Sequence, residues 1–139
     1  AKLIQRSKFA ENLHLVMLQG MALGGFNVVD IQALNAETGL PVIAVTREKP
    51  NLGEIHEALQ HLPRSEERWR LVLAAGELVE VATRLGKGHI YVHVAGVSVE
   101  DALRILRLTS TRSDVPEALR VAHLVASGVS SEGAELEKV

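Results

Sequence analysis

The sequence predicts an α/β fold, and three observations within residues 13–46 carry that expectation. Two apolar runs, Leu13 to Leu18 and Pro41 to Thr46, each have the length of a strand. Neither alternates cleanly, as expected of strands covered on both faces. The segment between them opens on a glycine-rich loop and continues with helical signals. Asn27 stands as a cap with Asp30 three residues on, and Val28, Ile31 and Leu34 form an apolar stripe. Thr38-Gly39-Leu40-Pro41 supplies the glycine-then-proline stop. A crossover of this length joins two parallel strands with a right-handed connection. Ligands of such sheets sit beyond the carboxyl ends of the strands. Gln19 to Asn27, with Thr46 and Arg47, therefore form a candidate rim.

The remaining elements follow in chain order. Lys2 to Ala10 reads as a short helix with Leu3, Ile4 and Phe9 inward. Asn51 caps a helix carrying Leu52, Ile55 and Leu59, which Pro63 ends. Ser65 caps the next, with Glu66 and Glu67 in the first turn, where acids suit the dipole. Its inward residues are Trp69, Val72 and Leu73, and Gly76 closes it. Val79 to Arg84 and His89 to Ala95 flank Leu85-Gly86-Lys87-Gly88, the pattern of a β-hairpin. Ser98 and Asp101 form a capping box ahead of a stripe of Val99, Leu103 and Leu106. Pro116 opens a last helix expected to stop at Gly128. This gives one domain over residues 1–129 and a flexible acidic tail over 130–139.

Composition narrows the chemistry. With 47% hydrophobic but only 3% aromatic residues among 139, the core must be aliphatic. The absence of cysteine excludes disulfides, thiolate metal sites and a cysteine nucleophile. A formal charge of −2 provides no global electrostatic footprint for nucleic acid, so binding would need a local basic patch. Arg104, Arg107, Arg112 and Arg120 cluster around the last loop, partly balanced by Asp114 and Glu117. A solvated helix face explains them as simply as a phosphate-binding surface does. No stretch reaches the length of a membrane span and no signal peptide is visible, so a cytoplasmic protein is expected.

The glycine-rich loop excludes two familiar sites. Ala22 stands where a dinucleotide fingerprint needs its second glycine. Gly20 and Gly25 have phosphate-loop spacing, but Phe26-Asn27 replaces Lys-Ser/Thr and so removes the cation that holds the β- and γ-phosphates. Tight packing and phosphate contact both remain open for this loop. Among the histidines, His89 and His93 share a strand face about 13 Å apart, too far for one metal. His56 and His61, five apart on a helix, point different ways. His14 lies in an apolar run as a hydrogen-bonded structural residue. His123 lies about 40° from Leu119 on the helical wheel, as an inward core residue or a ligand.

Gly20 to Asp30 (GMALGGFNVVD) and Thr38 to Arg47 (TGLPVIAVTR) resemble an archaeal family, endonuclease dU. Ser110-Thr111-Arg112 and Pro116 to Leu124 (PEALRVAHL) resemble its C-terminal signature, so the likeness runs over nearly the whole chain. That family is in turn similar to endonuclease V, whose ribonuclease H-like fold holds divalent metal among acids to cleave a phosphodiester bond. The resemblance implies a three-layer domain with parallel strands at its centre, an added β-hairpin and C-terminal helices. It implies Mg²⁺ or Mn²⁺ as cofactor, nucleic acid as substrate, and a role in DNA repair. It places Gln19 and His123 at the catalytic centre, His123 on the metal side. Gly24, Gly25, Phe26, Asn27, Arg47, Arg112 and Arg120 then take the substrate. Members commonly carry aspartate at the position of Gln19, and a strand region bearing further acids ahead of the Lys2 helix. Weak or absent cleavage by this chain is the corresponding expectation, with a non-catalytic α/β module binding nucleic acid or protein as the alternative. An uncovered Leu13–Leu18 strand would also favour a homodimer or ordered upstream residues.

Overall fold

Val42–Thr46 (β4) is the strand around which the sheet assembles, because it alone among the described strands pairs with a parallel neighbour on one side and an antiparallel one on the other. The computed structural model describes residues 1–23, 27–83 and 88–136, with side chains described through 129. Val16–Gln19 (β1) runs parallel to β4, with Val16 opposite Val42 and Gln19 opposite Val45. His89–Ala95 (β6) runs antiparallel on the other side, and Val79–Ala82 (β5) completes the order β1-β4-β6-β5. The two strands of the expected hairpin are thus paired antiparallel, while Arg84 and the turn through Lys87 lie outside the described residues. The pair joins the sheet through β6 rather than standing apart.

Period-two alternation divides the sheet into two covered faces. Val42 and Ala44 share one face with Val16, Leu18 and Ala95, and Ile31–Thr38 (α2) closes over it through Ile31 and Leu34. Ile43 and Val45 share the other with Met17, Val92 and Val94. Val99–Thr109 (α5) covers that second face through Ala102 and Leu106, and Glu117–Leu136 (α6) through Leu119. Helix, sheet and helix form the three layers that the sequence leads one to expect. Ile43, fully buried at the centre, contributes about 1.5–3 kcal/mol by its removal from water.

Several local expectations are met with identifiable chemistry. Asn51 caps Leu52–Gln60 (α3), its side-chain oxygen accepting from the amides of Gly53 and Glu54 at 3.0 and 3.3 Å. Ser98 caps α5 by accepting from the Asp101 amide at 3.1 Å and donating to the Asp101 carboxylate at 2.9 Å. Others are corrected. The cap of α2 is Asp30, which accepts from the Ala33 amide at 2.8 Å, while Asn27 sits in a two-residue strand, Asn27–Val28 (β3), paired with Ala22–Leu23 (β2). Ser65–Ala74 (α4) starts one residue after Arg64, which holds the cap position at φ 60°. The first strand begins at Val16, whose amide donates to Pro41, because β4 supplies no partner earlier. His14 is therefore outside it and exposed, not a structural strand residue. The N-terminal segment is one helical turn, Lys2–Gln5 (α1), then a 3₁₀ turn over Ala10–Asn12. Leu3 and Phe9 are exposed rather than inward, since the short turns present no face to the core. The last helix runs through Gly128 to Leu136 instead of stopping, a continuation that costs about 1 kcal/mol at a glycine.

Candidate functional site

The carboxyl ends of β1 and β4 form the expected rim. Gly20 leaves β1 at φ 74°, a backbone that suits glycine, and its amide donates to the Val45 carbonyl at 2.8 Å. That bond ties the start of the glycine-rich segment to the end of β4. The Val29 amide then donates to the Met21 carbonyl at 2.8 Å, closing the β2–β3 ribbon. Gly24, Gly25 and Phe26 lie outside the described residues. Asn27 is exposed on β3. On β4, the Thr46 hydroxyl donates to the Glu48 carbonyl at 2.7 Å and bends the chain away from the sheet.

The rim opens into two crevices, one on each face of the sheet. The α2-side face holds a cavity of about 810 Å³ that runs from Gly20 and Thr46 beneath α3 and α4. Met21, Val28, Ile55, Ala58, Val72 and Leu78 make its walls chiefly apolar, and His93 lines it from β6. The opposite face holds a smaller crevice of about 230 Å³ formed by Arg47, Thr83, Gly88, His89, Ile90, Ser113 and Asp114. Three buried side-chain atoms lack a hydrogen-bond partner among the described residues: Thr83 Oγ1, His93 Nδ1 and Asp114 Oδ1. All three belong to residues lining these crevices. An orphaned buried polar atom is costly, so these two crevices are where a ligand or water would repay most.

Burial holds the His93 imidazole below its ordinary value of 6.5. The backbone carbonyls of Gly76 and Glu77 favour its charged form, but neither gives Nδ1 a hydrogen bond of ordinary geometry, and desolvation prevails. The other histidines have plainer roles. His56 packs against Trp69 with the rings tilted by 46° and their centroids 4.5 Å apart, linking α3 to α4. His61 ends α3, and His89 Nδ1 lies 3.8 Å from the Glu80 carboxylate.

The expected site residues are only partly brought together. Gln19 and Arg47 stand at the rim, both exposed. Arg112 is exposed in the last loop, and its charge, after the stronger effect of the Arg120 hydrogen bond, helps hold the Glu117 carboxyl below its usual value. Arg120 is not a free cation, because its Nε donates to both oxygens of Glu117 at 3.0 Å and its Nη2 also reaches that carboxylate. His123 is exposed rather than inward, although α6 lies against β1. Among the described residues no group of three or more His, Cys, Asp or Glu side chains could hold a metal ion. A divalent cation such as Mg²⁺ wants several oxygen ligands, and a neutral Gln19 amide with an exposed imidazole does not fit it. His93, Thr83 and Asp114 were the residues missed. The signal available for His93 was a polar residue at an inward strand position.

The family model for endonuclease dU matches residues 1–130 of this chain. A UPF0215 protein of Methanosarcina barkeri is 46% identical over 127 residues, which are 91% of this chain and 64% of that protein. One from Methanopyrus kandleri is 42% identical over 130 residues, covering 94% and 66%. The chain spans just under two thirds of the length of these curated relatives. The crystal structure of a protein of unknown function from Archaeoglobus fulgidus is similar with a TM-score of 0.82 and 38% identity, over 92% of this chain and 70% of that one. Human endonuclease V is similar at a TM-score of 0.57 and 18% identity, covering 96% and 61%, a likeness of fold alone.

Proposed function

The chain belongs to the endonuclease dU family, and from that premise we propose that it is an endonuclease-type protein whose rim holds nucleic acid for phosphodiester hydrolysis. The observation that carries this reading is the convergence of the parallel strands' carboxyl ends on two crevices lined by three unpartnered buried polar groups. Arg47, at the smaller crevice, and Arg112, exposed beside it in sequence with Ser113, contact phosphates. Arg120 contributes more weakly, because a phosphate must compete with Glu117 for it. Gly24 to Asn27 stay in the proposal as substrate-binding residues on the family likeness.

The family likeness brings Mg²⁺ or Mn²⁺ into this proposal as the cofactor, but Gln19 and His123 do not make a ligand set for it. Since these two groups do not suffice for it, binding with weak or absent cleavage is the expected behaviour of this chain. The neutral side chain at Gln19 favours a second reading, a non-catalytic module that binds nucleic acid or protein through the same rim. We also place the protein in the cytoplasm and as a homodimer. Val121, Leu124, Val125 and Val129 of α6 are exposed at helical spacing, and β1 is the edge strand beside that helix.

The test is fluorescence anisotropy with single- and double-stranded DNA and RNA, repeated over a salt series and with Mn²⁺. Arg47→Ala should weaken binding to all of them and lower the salt slope by about one. Failure to bind any of these polymers at low salt would sink the proposal. Product formation with Mn²⁺ separates the nuclease from the binding module.

A further inference from the structure

We infer that α3 and α4 form a hinged cover over the α2-side face of the sheet, and that the arrangement seen is its open form. In the closed form the helical hairpin settles onto the sheet and takes up the space of the 810 Å³ cavity.

The hairpin is built as one body. His56 of α3 packs against Trp69 of α4, and in the turn between the helices the Leu62 amide donates to the Leu59 carbonyl at 3.0 Å. Arg64, at the cap of α4, donates to both oxygens of Glu67 at 2.6 and 2.7 Å. Its hold on the sheet is weak by comparison. Between them α3 and α4 bury only Leu59, which belongs to neither core cluster of the sheet. By contrast α5 brings Ala102 and Leu106 into the core, and α2 brings Ile31. Beyond its contact with α3, α4 rests chiefly on β3, which among the described residues pairs with β2 and not with the four-stranded sheet.

The gap beneath the hairpin is unfinished packing. Leu52 and Leu73 line the cavity yet are 52% and 58% exposed, although its walls are chiefly apolar. An inward movement removes both from water. Glu48, Lys49 and Glu54 also line the cavity, but they are exposed at its mouth and keep their water in either form. The hinges stand where the movement needs them. Gly76, with φ of 86°, lies between α4 and β5, and a Cβ there would meet only Gln32 Nε2, at 4.0 Å. On the other side the exposed residues Arg47, Glu48 and Lys49 join β4 to α3.

His93 supplies the catch. Its Nδ1 is buried without a partner, and the imidazole lies against the backbone carbonyls of Gly76 and Glu77, at the hinge itself. A shift of that turn brings a carbonyl into line with Nδ1, so closure satisfies a group that the open form leaves orphaned. Gly20 and Thr46 line the same cavity, and closure therefore withdraws the α2-side of the rim. The smaller crevice with Arg47 lies on the other face and stays open.

The chain has no cysteine to interfere with labelling, and Trp69 is its sole tryptophan. Spin labels at Ala36→Cys on α2 and Glu57→Cys on α3, both exposed, should give two distance populations in double electron–electron resonance. Labels at Ala36→Cys and Arg107→Cys on α5 should give one. Leu52→Ser and Leu73→Ser should each lower the same population about three- to tenfold relative to the other, the worth of half-burying one leucine. That population should vanish in Ala58→Phe, which fills the cavity, and fall in His93→Phe, which removes the catch. Trp69 emission should hold its wavelength throughout, since the hairpin moves whole. A single narrow distance between α2 and α3, unaltered by these variants, overturns the inference. Two populations between α2 and α5 would place the movement elsewhere and overturn it too, as would a shift of Trp69 emission to that of a solvated indole. None of these measurements uses nucleic acid, so the rim reading stands or falls separately.

Discussion

Gly96 and Gly39 share a backbone conformation and differ in their surroundings, which allows strain to be separated from packing. Both have φ of 69°. A Cβ at Gly39 would meet nothing within 4 Å, so Gly39→Ala should cost only the left-handed backbone penalty, about 1 kcal/mol. A Cβ at Gly96 would fall 2.1 Å from Asn35 Nδ2 and 2.6 Å from Asn35 Cγ. Asn35 cannot stay, and in leaving it breaks its 2.8 Å bond to the Leu40 carbonyl, one of the bonds that join the end of α2 to the approach to β4. Adding about 1 kcal/mol for that bond and 1–2 kcal/mol for displaced packing brings Gly96→Ala to roughly 3–4 kcal/mol. For a domain of this size that is a fall in Tm of about 10–15 °C. Asn35→Ala alone should cost about 1 kcal/mol. The double variant should recover stability to about 2 kcal/mol below wild type, because the clash is gone while strain and the lost bond remain. Urea titration followed by circular dichroism measures all four proteins. Equal effects of Gly39→Ala and Gly96→Ala, or a double variant weaker than Gly96→Ala alone, would refute the reasoning.

Three further outcomes are expected. Because the folded His93 has a value lowered below 6.5, the unfolded chain takes up that proton first as pH falls. Its contribution to stability is therefore whole above about 6.5 and shrinks below it. Urea midpoints at pH 7.5 and 5 should diverge more for wild type than for His93→Gln, and equal divergence discards the idea. Leu124→Glu should convert a dimer to a monomer by light scattering, and a wild-type chain already monomeric at high concentration contradicts the α6 interface. Gln19→Asp should tighten Mn²⁺ binding in calorimetry while leaving it weak, since one carboxylate with an exposed imidazole is a sparse ligand set. If His123→Ala leaves that gain intact, the two residues do not share an ion.

The parts of the fold legible in the sequence are those whose cause is local. The α5 start was readable because Ser98 and Asp101 bond each other across three residues. The parallel pair was readable because Val42 to Val45 is apolar at every position, the signature of a strand covered on both faces. The N-terminal helix failed because apolar spacing at Leu3, Ile4 and Phe9 specifies a face but supplies nothing to cover it. The Asn27 cap failed because Asp30 offers the same acceptor chemistry three residues later, once β2 and β3 have paired. His93 went unread for a different reason. Its strand position shows which way it points, but the cavity it meets arises from how α3 and α4 pack, which no single segment encodes.

His123 defines the limit most sharply. Its placement 40° from Leu119 on the wheel is sound as an angle, and Leu119 is indeed buried. A wheel, however, gives direction about the axis and not distance along it. Four residues carry the helix about 6 Å further on. Over that distance α6 has passed its buried first turn: Pro116 and Leu119 lie in the core, whereas 121–129 are exposed throughout. The same projection leaves Val121, Leu124, Val125 and Val129 uncovered, so one geometric fact both removes His123 from the core and creates the apolar stripe assigned to the dimer. It follows that the two proposals are linked. Whatever covers that stripe also changes the surroundings of His123, so the Mn²⁺ titrations of Gln19→Asp belong at concentrations both above and below the association midpoint. An affinity gain confined to the associated form would mean that His123 enters the site only when α6 is covered.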